Sequence, residues 1–195
     1  MLSRLFSIFL NALNFLLILG CVIRGVRKVD PPGRLFRYFT TLSNVYCGLV
    51  SLLVCIVAVF GELPLWARIV KYSATAAVTV TMVTVFVCLA PTTHAWKELL
   101  SGIQLFWHLI CPLIALVSFL GFERAPMPVW AIAAAVLPIL LYGVLYWHKI
   151  LRAPEEKRWE DFYGFNRAGK PLVSIALITL GFSAILLPLW ALCLI

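Results

Sequence analysis

Six times along this chain a stretch of roughly 20 residues passes with few or no charges, at about 5–23, 36–60, 66–90, 99–121, 127–147 and 171–195. A helix of that length crosses the roughly 30 Å hydrocarbon layer of a bilayer. No other feature limits the fold as much. Lipid offers no hydrogen-bond partners, so a spanning segment has to satisfy its own backbone, and each stretch is expected to be a helix. With 63% of its 195 residues hydrophobic and 12% charged, the chain carries more apolar surface than a soluble domain could cover. The loops are too short for a second domain. The expected fold is therefore all-α, a six-helix membrane bundle forming one domain over residues 1–195. Neither internal periodicity nor an inverted repeat is visible.

The net charge of +8 lies in the loops. Those after the first, third and fifth spans carry Arg24, Arg27, Lys28, Arg34, Arg37, Lys97, Lys149, Arg152, Lys157, Arg158, Arg167 and Lys170. The other side has Arg4, Arg68, Lys71 and Arg124. This asymmetry puts the first set in the cytoplasm and both termini on the non-cytoplasmic side. Basic loops of this kind need no nucleic-acid partner, and no basic helix interleaved with aromatics is present. The segment "LILGC", Leu17 to Cys21, faintly resembles a lipoprotein cleavage box. Leu19 suits it poorly and the arginines that follow suit a retained first span. Short loops and small size fit a multi-pass protein of a bacterial inner membrane.

Cys21, Cys47, Cys55, Cys88, Cys111 and Cys193 all fall in hydrophobic segments without a CxxC pair, which reads as buried free thiols. His94, His108 and His148 sit on separate stretches with no intramembrane Asp or Glu beside them. No metal site and no cofactor are expected.

Polar residues inside the spans fall into stripes. In the second span Thr40, Ser43, Asn44, Cys47, Gly48 and Ser51 recur at helical spacing, with Thr41 off the stripe. In the fourth, Ser101, Gln104, His108, Cys111, Ala115 and Ser118 do the same; the third has Ala74, Ala77, Thr81, Thr84 and Cys88, the first Ser7, Asn11, Asn14 and Cys21. Small and hydroxyl residues let membrane helices approach closely, and that alone accounts for most of these positions. His108 is read as the only titratable acid–base group deep within a span, and ionisable groups at such depth are functional candidates. A hydroxyl becomes a nucleophile when a neutral imidazole takes its proton. Thr40 and His108 could supply that pair as a dyad, since no buried carboxylate is expected to orient the ring. Asn44 or Gln104, each one turn away, could donate to an oxyanion. Counting 1.5 Å per residue leaves His108 about 8 Å deeper than Thr40. In the longest loop, Trp159, Phe162 and Tyr163 at i, i+3, i+4 suggest a short helix resting on the membrane surface, as an anchor or as a lid over a site.

At these positions "RYFTTLSN", "HLICPLIAL" and "WEDFYGFN" resemble the small six-span membrane proteins typified by the androgen-induced and androgen-dependent (FAR-17a-like) proteins, nearer to the bacterial-type members. The resemblance implies an intramembrane hydrolase of fatty acid esters, with Thr40 and His108 catalytic, membrane lipids as surroundings and a lipid-like small molecule as substrate. Two other readings stay open: a small-molecule transporter or channel, and a non-catalytic structural protein whose stripes only pack.

Overall fold

The structure, a computed structural model, describes residues 1–164, 166 and 171–194, with all side chains but those of residues 92, 171, 172, 174–177 and 179. Every regular element among these residues is helical. Five helices are long and apolar enough to cross a membrane: α1 (Leu2–Lys28), α2 (Phe39–Phe60), α3 (Leu65–Leu89), α4 (Gly102–Glu123) and α5 (Ala131–Arg152). The last expected span is helical as α6 (Pro171–Ala191), with Leu180–Ala191 apolar. α1 runs further at both ends than its apolar run implies. The fourth span starts later, at Gly102, because Trp96–Leu99 forms a separate short helix.

α3 is the axis of the bundle. Its sequence stripe suggested one packing face, yet every residue from Lys71 to Thr81 is buried. A helix hydrophobic or small all round belongs in the interior, and Ser73, Ala74, Thr75, Ala76 and Ala77 let α2, α4, α5 and α6 close on it. α1 lies against α2, where Gly48 faces Ile18; a Cβ at Gly48 would come within 3.0 Å of the Ile18 side chain. Ile18, Val54, Val78, Trp107 and Cys111 form one core. Tyr72, Phe119, Ala135 and Leu186 centre a second, between α3, α4, α5 and α6.

Prolines set local detail. Pro138 lies inside α5 and has no N–H, so the Ala134 carbonyl four residues back loses its helical donor. Ser73 Oγ of α3 fills the gap, donating to that carbonyl at 2.9 Å, while Tyr46 of α2 donates to Ser73 Oγ at 3.3 Å. One missing amide hydrogen thus ties three helices together. Ser73→Ala should lower unfolding free energy by about 1–2 kcal/mol, the cost of an unsatisfied buried carbonyl. Adding Pro138→Ala should recover part of that loss, because the substituted residue brings back the missing amide. A double-mutant cycle on thermal unfolding in detergent checks both.

Candidate active site

α4 opens on Gly102 at φ +54, a left-handed conformation that glycine adopts without strain. One turn later the helix widens into a π segment over Phe106–Ile110, just before Pro112. Within it the Cys111 N–H bonds five residues back to the Phe106 carbonyl, and Pro112 has no N–H to give. The Trp107 carbonyl is therefore left with neither its i+4 nor its i+5 donor. Asn44 of α2 takes it: Nδ2 donates to Trp107 O at 3.0 Å and to Thr40 O at 2.8 Å. Two oxygens that share one nitrogen at these distances lie less than about 6 Å apart. Asn44 is fully buried, and its amide clamps the first turn of α2 to the π segment that carries His108.

His108 is 5% exposed. Its Nδ1 lies 2.8 Å from the Leu99 carbonyl, which can only accept, so the proton sits on Nδ1 and the Nε2 lone pair is the free basic site. Leu99 precedes the start of α4, so the ring reaches back along its helix toward the end where Thr40 lies.

Thr40 stands in the first turn of α2, partly buried. α2 has no side-chain cap of its own. Tyr163 supplies one from the long loop: its hydroxyl accepts the Phe39 N–H at 3.0 Å and lies against both the N–H and the side chain of Thr40. Burial pushes the Tyr163 phenol up from its usual range, with the Phe39 and Thr40 donors opposing, so it stays protonated at neutral pH. Its ring is 40% exposed while the hydroxyl turns inward. Among the described residues Thr40 and His108 share no hydrogen bond; Tyr163 and Leu99 hold their polar atoms in this state.

The aromatic loop is not the surface helix that its spacing suggested. It forms a short 3-10 turn at Glu155–Lys157 and then folds inward. Phe162 meets Tyr38 at a centroid distance of 4.7 Å and Tyr146 at 5.0 Å, and Tyr146 donates to Asp161 at 2.9 Å. The Arg37 and Lys149 side chains both lie over Trp159. Trp159, Phe162 and Tyr163 therefore cover the start of α2 and the end of α5. Phe165, Arg167 and Lys170 lie outside the described residues.

Other expected members fall differently. Gln104 is exposed, with no side-chain hydrogen bond to a described residue. Both Asn44 N–H groups are spent on carbonyls, which makes it a strut between helices rather than a free donor. His94 and His148 are exposed. Beside the site, a groove of about 260 Å³ between α2 and α5 is lined by Phe39, Leu42, Tyr46, Leu141, Tyr142 and Leu145. Leu141 is 62% exposed and flanks its opening toward the lipid.

The expectation that no carboxylate is buried is overturned. Glu123 and Lys71 are both fully buried, 3.7 Å apart. Residue counting ends the fourth span at 121 and puts Lys71 near the start of the third, where a charge is expected to reach water at the non-cytoplasmic side. Instead a π turn over Phe119–Glu123 carries α4 two residues further, and Glu123 turns in against α1 and α3. It lies at the end of α4 opposite His108, so it does not orient the imidazole. The signal in the sequence was the stripe itself, since Ser7, Asn11 and Ser118 face this pair.

No known protein family, characterised protein or solved structure matches the chain. Asn44→Ala should destabilise the protein by about 1–3 kcal/mol, because it strands the Trp107 carbonyl in a buried site. Combining it with Pro112→Ala should soften the loss by restoring an amide donor to α4. Chemical or thermal unfolding of the two variants measures the difference.

Proposed function

We propose that this integral membrane protein is an intramembrane hydrolase of lipid esters in which Thr40 is the nucleophile and His108 the base. The observation that carries the reading is the Asn44 clamp. It fastens the turn holding a hydroxyl to the segment holding a neutral imidazole whose free nitrogen is fixed by a carbonyl on the other side of the ring. The family resemblance of "RYFTTLSN" and "HLICP" falls on the same two residues.

The chemistry follows from these groups. Thr40 turns from Tyr163 toward the ring, and His108 Nε2 takes its proton as the oxygen attacks the ester carbonyl carbon. The carbonyl electron pair moves onto oxygen. The N–H groups of Phe39 and Thr40, at the N-terminus of a 22-residue helix, face the space where that oxyanion would form. Tyr163 oxygen occupies it in the resting state, so a substrate carbonyl replaces the phenol and the aromatic loop works as a lid. Collapse expels the alcohol, which receives the proton from Nε2. Water then attacks the acyl-threonine with His108 again taking a proton, and free acid and Thr40 are released. The groove between α2 and α5 would admit an acyl chain sideways from the bilayer of a cell membrane.

A second reading, a path for a small polar solute, draws support from the buried Lys71–Glu123 pair, because ion coupling needs an intramembrane charge. The two separate in assay. Hydrolysis predicts turnover of a long-chain ester by purified protein in detergent, lost at least ~100-fold in Thr40→Ala and in His108→Ala and partly retained in Thr40→Ser. Solute flux into proteoliposomes that survives Thr40→Ala, with no ester turnover by the native chain, would favour transport.

A further inference from the structure

The oxygen position that Tyr163 holds beside Phe39 has a neighbour that the reaction above leaves idle. Tyr38 joins the turn Pro32–Arg37 to α2 with extended dihedrals, φ −92 and ψ 134. Around an extended residue the carbonyl before it and the N–H after it point to the same side of the chain, as they do along the edge of a sheet. The Arg37 carbonyl and the Phe39 N–H therefore face the same way, and two phenols answer them. Tyr142 of α5 donates to the Arg37 carbonyl at 2.8 Å, and the Tyr163 oxygen accepts the Phe39 N–H at 3.0 Å.

The two phenols stand side by side. The Tyr163 hydroxyl lies against Tyr142 as well as against Thr40, and the two rings meet edge to face with centroids 6.2 Å apart. Phe39 packs on the Tyr142 ring at 5.1 Å and Tyr146 stacks on it at 5.8 Å. The ring is thus held in place, while its O–H is free to turn about the bond to the ring carbon. Tyr142 also lines the groove between α2 and α5, so an acyl chain lying there passes this ring.

Resting on the hydrolase reading, we propose that Tyr142 is a further catalytic residue, an oxyanion donor that joins the Phe39 and Thr40 N–H groups only in the transition state. Once a substrate carbonyl has replaced the Tyr163 phenol, its oxygen stands beside the Tyr142 hydroxyl. A neutral ester oxygen is no better an acceptor than the amide carbonyl of Arg37, so the O–H stays on Arg37 in the ground state. An oxyanion is a far stronger acceptor, and the O–H turns to it as charge develops. The bond is made in the transition state and not before, so it raises kcat without lowering KM. Tyr142 keeps its hydrogen throughout. When the electron pair returns to the carbonyl and the alcohol leaves, the hydroxyl turns back to Arg37, which is only partly buried, so leaving its carbonyl for one turnover costs little.

The test is Tyr142→Phe, which keeps the ring and its packing and removes the hydroxyl. With a long-chain ester and the purified full chain in detergent, kcat should fall about 100-fold, the usual effect of one lost oxyanion donor, with KM changed less than about twofold. The matching thionoester separates catalysis from support, because sulfur accepts hydrogen bonds poorly. The oxo-to-thiono ratio of kcat should be at least ~10-fold smaller in Tyr142→Phe than in the native chain. A variant that loses rate with an unchanged ratio shows mere support of Arg37 and overturns the proposal. The native chain gives a second measurement that needs no variant: in its fluorophosphonate adduct the Tyr142 oxygen should lie within about 3 Å of the phosphoryl oxygen. A Tyr142 hydroxyl still bonded to the Arg37 carbonyl there overturns it as well. Turnover that needs Thr40 and His108 but is equal in Tyr142→Phe overturns this assignment alone, whereas absence of ester turnover by the native chain overturns it together with the hydrolase reading.

Discussion

The bond from Asn44 Nδ2 to the Trp107 carbonyl is the interaction on which the rest of this structure depends. It exists because α4 cannot satisfy that carbonyl itself, the π segment having moved the Cys111 N–H to Phe106 and Pro112 having none. In water such a carbonyl would be solvated at little cost; in a bilayer it has to find a donor inside the protein. The same logic recurs where Pro138 frees the Ala134 carbonyl and Ser73 answers from α3. Prolines therefore act here as docking points. Each creates an acceptor on one helix that a polar side chain on another has to meet, and helix register follows.

The two ends of the bundle use polarity differently. At the end rich in Lys and Arg, neutral groups meet: an amide, an imidazole, a hydroxyl and the phenol of a loop that closes over them. At the other end a carboxylate and an ammonium are sealed among serines and asparagines. A neutral site costs less to bury, which suits the proposed reaction on a molecule dissolved in the bilayer. A charged site is tolerated only when its counter-charge is in place. α1 and α2 connect the two, through Asn14 reaching Cys47 and Ser51.

Much of this was legible in the sequence, and the failures share a cause. Apolar runs located the first five spans to within a few residues, and three-and-four spacing put Asn44 on the face of α2 that meets α4. Glu123 was missed because it lies two residues beyond the apolar run, where counting hydrophobic residues cannot see a helix continue. Lys71 was missed because a charge near a span end normally reaches water, and only the encirclement of α3 by α2, α4, α5 and α6 prevents that. Tyr163 was placed on the right loop but in the wrong shape. Its i, i+3, i+4 spacing with its neighbours fits a helix, whereas contacts to Tyr142, Tyr146 and the bare N-terminus of α2 override local preference. The role of Asn44 could be read as either donor or linker, and only the spent state of both its N–H groups decides for linker.

The central claim is that the clamp presents Thr40 to His108, and the most direct measurement is an experimental structure of the protein after reaction with a long-chain alkyl fluorophosphonate. The expected result is phosphorus bonded to Thr40 Oγ1, with a phosphoryl oxygen in place of the Tyr163 hydroxyl beside the Phe39 and Thr40 N–H groups. His108 Nε2 should then lie within hydrogen-bonding distance of the adduct, and the alkyl chain in the groove between α2 and α5. An adduct on another residue, or a Thr40 adduct with the His108 ring turned away on the far side of α4, would contradict it.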